Sequence, residues 1–171
     1  MRVLETARLR LRPLDATDEA FYCQLYADPV VMRHIGAPIS SEAARRSLLA
    51  ACRQAAHYPP HRRTWVMTEV ATNVDIGLLA LVNDRHAPTA EIGALLLDDQ
   101  QNRGYATEAI NTLVAYAFHE LGLAAVYTRH TGDNALAAGL MRKLGFIPVD
   151  PDPQDGSLTY RWQLTPRAKA R

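Results

Sequence analysis

No stretch of this chain approaches the roughly 20 consecutive apolar residues that a membrane-spanning helix needs. The first twelve residues lack the apolar core of a secretion signal, because arginines occupy every second position from Arg8 to Arg12. These two absences lead to the expectation of a cytoplasmic protein with no membrane partner. Cysteine is scarce. Cys23 and Cys52 stand alone, without a neighbour at metal- or redox-motif spacing, so no metal is expected and both read as small core residues. A surplus of one charge is also missing. The formal net charge of +1 is too small for a generic nucleic-acid binder. Neither a Gly-Lys-Ser/Thr phosphate loop nor a three-glycine dinucleotide fingerprint occurs, and there is no internal repeat or low-complexity segment.

What is present fits one folded domain spanning 1–171. Of the 171 residues, 48% are apolar and 22% charged, enough to bury a core and stay soluble. The charge is unevenly spread. Through Arg63 there are ten arginines against six acids, which is either a solvated surface or a mildly positive rim for an anionic partner.

The alternation of Leu9 and Leu11 with Arg8, Arg10 and Arg12 predicts a half-buried strand ended by Pro13. Asp15 caps a helix expected near Ala16, with Phe21, Leu25 and Tyr26 as its stripe. Asp28-Pro29 breaks it, and Val30, Val31 and Ile35 suggest a short helical piece. Ser40 opens a longer helix whose stripe is Ala44, Leu48, Ala51, Cys52 and Ala55, stopped at Pro59-Pro60. Trp65 to Val70 and Ile76 to Val82 read as a hairpin, and Ala90 to Leu97 as a buried strand. A helix then runs to Leu121, with Gly122 as its stop. Ala125 to Thr128 is a short strand, and Asn134 opens a last helix ending at Leu144-Gly145. Phe146 to Val149 and Leu158 to Leu164 close as strands around a Pro/Asp/Gly loop, and 165–171 reads as a frayed basic tail. The order β-α-α-β-β-β-α-β-α-β-β indicates one α+β or α/β sheet domain.

The most informative stretch runs from Glu91 to Ala109, where a buried strand enters a polar turn and then directly a helix. The first turn of a helix has unpaired N–H groups and partial positive charge, so it suits phosphate. Gly104 allows close backbone approach, Ala106 is nearly as small, Arg103 offers a charged donor and Thr107 a hydroxyl. An ordinary strand-to-helix turn explains the same residues equally well.

Gln101-x-x-Gly104-x-Ala106 resembles the coenzyme A pyrophosphate signature of the GNAT superfamily of N-acetyltransferases. Asn134 followed by Met141-Arg-Lys-Leu-Gly-Phe146 resembles that superfamily's next helix, at the family separation. The opening Leu4-Glu-Thr-Ala-Arg-Leu-Arg-Leu-Arg-Pro13 and Glu91-Ile-Gly93 are similar to the RimJ/RimL-type branch, whose members include ribosomal-protein-alanine acetyltransferases. The resemblance implies a three-layer α/β arrangement: a mixed, mostly antiparallel sheet of about seven strands flanked by about four helices. It implies acetyl-coenzyme A as co-substrate, no metal, and a small-molecule amine or protein N-terminus as acceptor. A homodimer is common in the superfamily.

Residue by residue, the resemblance assigns backbone contacts with the pantetheine arm to Leu95, Leu96 and Leu97. It assigns the pyrophosphate to the turn of Gln101, Asn102, Arg103, Gly104, Tyr105, Ala106 and Thr107, and a further cofactor contact to Asn134, which is equally a helix cap. A backbone amide near Leu96 would polarise the thioester carbonyl. Glu91 would act as catalytic base. Glu108 reads instead as a partner of the helix dipole. Two departures stand out. The family's tyrosine acid is Met141 here, and the branch's serine is Ala137. Gly139 also sits inside the last helix, at a cost of about 1 kcal/mol against alanine. The changes at Met141 and Ala137 keep open a coenzyme-A-binding regulatory module without catalysis, and a third reading is a nucleotide-binding α/β domain unrelated to acetylation. Trp65, Tyr58, His57, His61 and the Arg62-Arg63 pair read as core or solvated surface rather than as an acceptor site.

Overall fold

The computed structural model describes residues 1–149 and 159–166. The Pro/Asp/Gly loop and Leu158 lie outside the described residues, as do 167–171 of the tail, while Thr165 and Pro166 have no regular structure. Eight strands form one sheet: β1 (Leu4–Glu5), β2 (Leu9–Pro13), β3 (Arg62–Glu69), β4 (Val74–Asn83), β5 (Thr89–Leu96), β6 (Ala125–Thr131), β7 (Ile147–Val149) and β8 (Thr159–Leu164). Their spatial order is β1-β2-β3-β4-β5-β6-β8-β7. Every neighbouring pair is antiparallel except β5 and β6. The helices are α1 (Glu19–Ala27), α2 (Pro29–Met32), α3 (Ser41–Ala56), α4 (Tyr105–His119) and α5 (Ala135–Lys143). The sheet has one strand more than expected. Leu4–Glu5 pairs with Arg10 and Leu11 but is too short to show a period.

Local chemistry accounts for the entries and exits. Asp15 builds a capping box over a 3-10 turn, Ala16–Asp18, so the α-helix proper starts at Glu19 rather than near Ala16. Asp28 caps the single turn α2, whose first residue is Pro29. Ser40 caps α3 through the N–H of Ala43. Asn73, at φ 56°, turns the β3–β4 hairpin.

Side chains leaving the sheet divide two apolar clusters. Leu9, Leu11, Trp65, Met67, Leu79, Leu81, Ala90 and Ile92 meet Ile110, Leu113 and Ala117 of α4 and Met141 of α5 on one face. On the other, Val66 and Leu78 meet Tyr22 and Leu25 of α1 and Ala44, Leu48 and Ala51 of α3. Cys23 and Cys52 pack half-buried against this second cluster. Each large side chain taken fully out of water contributes roughly 1.5–3 kcal/mol, so the two clusters clamp the sheet from both sides. Leu9 and Leu11 are buried on one face of β2, and Arg10 and Arg12 take the other. On that face Arg10 is exposed, while Arg12 is half-buried and meets Asp18 at 2.7 Å and Asp75 at 2.6 Å.

Candidate active site

Strands β5 and β6 pair only at Thr89, Ala90 and Glu91, against Ala125, Val126 and Tyr127. Beyond this point they diverge, and the fork opens into a cavity of about 760 Å³. Its walls include Ile92 to Leu96 of β5, Thr128 to Thr131 of β6, the α4 entry turn and the inner side of α5. The N–H of Leu97 donates to Ile76 O at 3.0 Å. Strand alternation then turns the backbone groups of Leu95 and Gly93 toward β4, and those of Ile92, Ala94 and Leu96 into the fork. So Leu96 presents its backbone to the cavity, whereas Leu95 and Leu97 do not. Leu97 lies past the end of β5, and its side chain packs in the second cluster. The free edge begins earlier than the resemblance placed it, at Ile92. The reason is register: the fork opens one residue after Glu91, and only alternate residues face it.

Gln101 closes the far end of this edge, its Nε2 donating to Leu96 O at 3.3 Å. The chain then reverses through Asn102 at φ 59° and Gly104 at φ 84°. Both are left-handed, and Gly104 is the residue type that tolerates this conformation without strain. Gly104 is also the N-cap of α4 and offers no side-chain acceptor. The N–H groups of Tyr105, Ala106 and Thr107 are therefore uncapped, and all three residues line the cavity. Tyr105 contributes only its backbone there, since its ring is buried and its hydroxyl hydrogen-bonds Glu69. Arg103 is directed elsewhere. Its guanidinium donates to Gln100 Oε1 at 2.6 Å and lies 5.2 Å from the Tyr105 ring centroid.

A polar strap holds this turn from behind. Glu108 accepts the Arg8 N–H at 2.8 Å, the Arg8 guanidinium at 2.8 Å and the Thr6 hydroxyl. Arg8 Nη1 also donates to Arg103 O at 3.0 Å. Burial pushes the Glu108 carboxyl up, but the bonds from Thr6 and Arg8 outweigh it and leave the group below its ordinary range. Glu69 is held low in the same way, first by the Tyr105 hydroxyl and then by Thr72. Glu108, the acid in the first turn of α4, thus also anchors the β1–β2 corner to that helix.

Glu91 stands where the fork closes. Arg129 holds its carboxylate with two bonds, at 2.7 and 3.2 Å. On α5, Asn134 Oδ1 accepts the Ala137 N–H at 3.0 Å, and its amide nitrogen takes no part in that bond. Ala137, Gly139 and Met141 all line the cavity, so the positions where the resemblance expects an acid do face it. A Cβ added at Gly139 would meet nothing within 4 Å. His130 also lines the wall, with Nδ1 2.8 Å from Thr131 O and a buried Nε2 that has no partner among the described residues. The opposite end of the cavity is roofed by Tyr26, Val30, Val31, Arg33, His34 and Ile35 and floored by Arg62 and Thr64. Sequence reasoning missed this roof, which has no motif. Of the residues set aside as core or surface, Arg62 alone reaches the cavity among the described residues. Trp65 is fully buried with Nε1 on Arg2 O at 3.0 Å, and Tyr58 is 99% exposed.

These residues fit a long, anionic thioester. An unpaired strand edge can receive the amides of a pantetheine arm, and the glycine-capped helix end can receive a pyrophosphate. Among the described residues no cluster of His, Cys, Asp or Glu could hold a metal, and no helix is long and apolar enough to cross a membrane.

Comparison with known proteins agrees with this geometry. The chain is similar to N-acetyltransferase p20 of Bacillus licheniformis, itself uncharacterised, at 26% identity over 148 residues, covering 85% of this chain and 83% of that one. It is 31% identical over 157 residues to an FsC-acetyl coenzyme A-N(2)-transacetylase of Aspergillus fumigatus, covering 86% of this chain and 66% of the relative. The fold matches that of RimL, a ribosomal L7/L12 alpha-N-protein acetyltransferase solved with coenzyme A, at TM-score 0.81 and 16% identity over 96% of this chain and 98% of that one. A family model described as an acetyltransferase (GNAT) domain matches residues 8–147. That match runs from the edge of β2 into β7, over every element that forms the cleft, and the chain belongs to the GNAT family of acetyltransferases.

Proposed function

We propose that this chain transfers an acetyl group from acetyl-coenzyme A to a primary amine, carried by a protein N-terminus or a small molecule, by direct attack of the amine on the thioester. The observation that carries the reading is the β5–β6 fork, with an uncapped helix end at its mouth and Glu91 at its apex. When bound, the co-substrate supplies an electrophilic carbonyl and a thiolate leaving group. The N–H groups of Tyr105, Ala106 and Thr107 hold its pyrophosphate, and the free edge at Ala94 and Leu96 aligns its arm as an added strand would be aligned. Glu91, oriented by Arg129, accepts the proton of the attacking amine directly or through water. Met141 and Ala137 donate no proton, and neither Tyr127 nor Tyr160 lines the cavity. A thiol has a pKa near ~8.5, so the thiolate leaves at neutral pH without a side-chain acid. General-acid help is typically worth ~10²–10⁴-fold, so its absence predicts slow turnover.

The test is thiol release from acetyl-coenzyme A with a panel of amines and N-terminal peptides. Release that depends on an amine supports transfer. The substitution at Met141 and Ala137 favours one second reading, a module that binds coenzyme A without turnover. Tight coenzyme A binding with no amine-dependent release would establish that reading instead.

A further inference from the structure

The geometry points to an acceptor amine that also carries a carboxylate, received by Arg62 while the amine faces Glu91. This rests on the acetyl-transfer reading above and names the substrate class for the same site. Registers across three strands place Arg62 opposite Val82, and Val82 opposite Glu91. Residues directly opposite in a sheet project to the same face, so Arg62 and Glu91 share a face with their Cα atoms about 10 Å apart, two strand spacings. Both line the cavity.

The partners of the two side chains differ. Glu91 is already matched by Arg129. Arg62 is half-buried under α1, and its only described hydrogen bond is from Nε to Thr64 Oγ1 at 3.2 Å, with no carboxylate within 4.0 Å among the described residues. The same fold treats Arg12, on the same layer, in the opposite manner, giving it both Asp18 and Asp75. A half-buried guanidinium keeps its fork of donors, and a planar carboxylate fits that fork with two parallel bonds. Other charges at this end reinforce the sign. Arg33 lines it as well, and Glu91, the one acid of the acceptor end among the described residues, is paired with Arg129; Asp98 lies on the cofactor side, next to the α4 entry turn. The site therefore offers a partner for an anion on the same sheet face as Glu91. A free amino acid supplies such a carboxylate, and so does an acidic side chain next to a peptide N-terminus.

The test compares matched acceptors that differ only in that group: L-serine against serinamide, and Ser-Asp-Ala amide against Ser-Asn-Ala amide. The carboxylated member of at least one pair is expected to show a kcat/KM about 10- to 100-fold higher, the usual effect of a charge-assisted hydrogen bond. Arg62→Gln should bring that ratio close to one, and Arg62→Lys should keep part of it. The serine pair and the peptide pair separate the two sources. Equal rates within both pairs would overturn the proposal while leaving acetyl transfer intact, as would a preference that survives Arg62→Gln. If no acceptor turns over, calorimetric binding of the same four compounds in the presence of coenzyme A reads the same contrast, and equal affinities for wild type and Arg62→Gln would reject it.

Discussion

At the scale of single residues, the arrangement around Glu91 separates holding from reacting. Arg129 fixes the carboxylate by two bonds at the apex of the fork, and Glu91 shares its sheet face with Arg62, the face from which the acceptor is proposed to approach. Glu91→Gln keeps the shape and removes the proposed base. Turnover should fall by about 10²-fold at neutral pH while the Kd for coenzyme A stays within a factor of two or so, because the proposed cofactor contacts lie on α4 and the β5 edge. Steady-state kinetics with a saturating amine, paired with a coenzyme A titration, would check this. An unchanged rate would leave Glu91 as a positioning residue only. Gly77 makes a second point at this scale. A Cβ there would lie 2.2 Å from Leu95 O, a backbone atom, and 2.6 Å from the Met67 side chain. The contact lies directly behind the strand whose other edge forms the fork. Gly77→Ala is expected to destabilise the fold by about 1–3 kcal/mol. It should also weaken coenzyme A binding, since β5 must move to make room. Urea unfolding and the same titration would reveal both effects, and a neutral result in both would contradict the close packing.

At the scale of elements, the entry of α4 is held by charges that respond to acid. Glu108 has a carboxyl held below its ordinary range by bonds from Thr6 and Arg8 that exceed the effect of burial. A depressed folded-state pKa contributes stability above the unfolded value near ~4.3, and that contribution is lost as pH falls through the folded value. Glu69 acts in the same direction through Tyr105. The corner joining β1, β2 and α4 should therefore loosen below about pH 4.3, and the α4 entry turn with it. Glu108→Gln should cost about 1–3 kcal/mol at pH 7, the range for a hydrogen bond to a charged group, and should flatten the acid limb of the stability curve. Thermal unfolding of both proteins from pH 3 to pH 8 would show the two curves converging in acid. Parallel curves would mean the strap carries no linkage. The same element level explains why the two strands of the fork run parallel. α4 must cross from the end of β5 to the start of β6, which makes this pair parallel while every other neighbour is antiparallel.

For the whole molecule, ligand binding and folding are coupled. A ligand that binds only the folded state at a hundredfold excess over its Kd adds roughly 2.7 kcal/mol. For a chain of this length that corresponds to roughly 5–10 °C in Tm. Coenzyme A should produce such a shift, and Gly104→Val should abolish most of it, since valine at φ 84° is strained and its Cβ would stand 3.4 Å from Arg8 Nη2, disturbing the strap that shapes the turn. No shift with millimolar coenzyme A would remove the cofactor site.

The sequence by itself determined the order of elements apart from β1, because leucine–arginine alternation in β2 and the stripe of α3 carry the periods of strand and helix in adjacent residues. It also marked the α4 turn, because a left-handed N-cap calls for glycine at one position, and Asn134, because a cap needs a short polar side chain there. The tertiary structure alone decided which backbone groups of β5 are free, since that depends on the hydrogen bond from Leu97 to Ile76 and not on residue type. It alone turned Arg103 onto Gln100 and Tyr105, and set Arg62 on the same sheet face as Glu91, two strands away. Local sequence records what a residue prefers within a turn or two; partners that lie tens of residues apart are chosen only when the sheet closes.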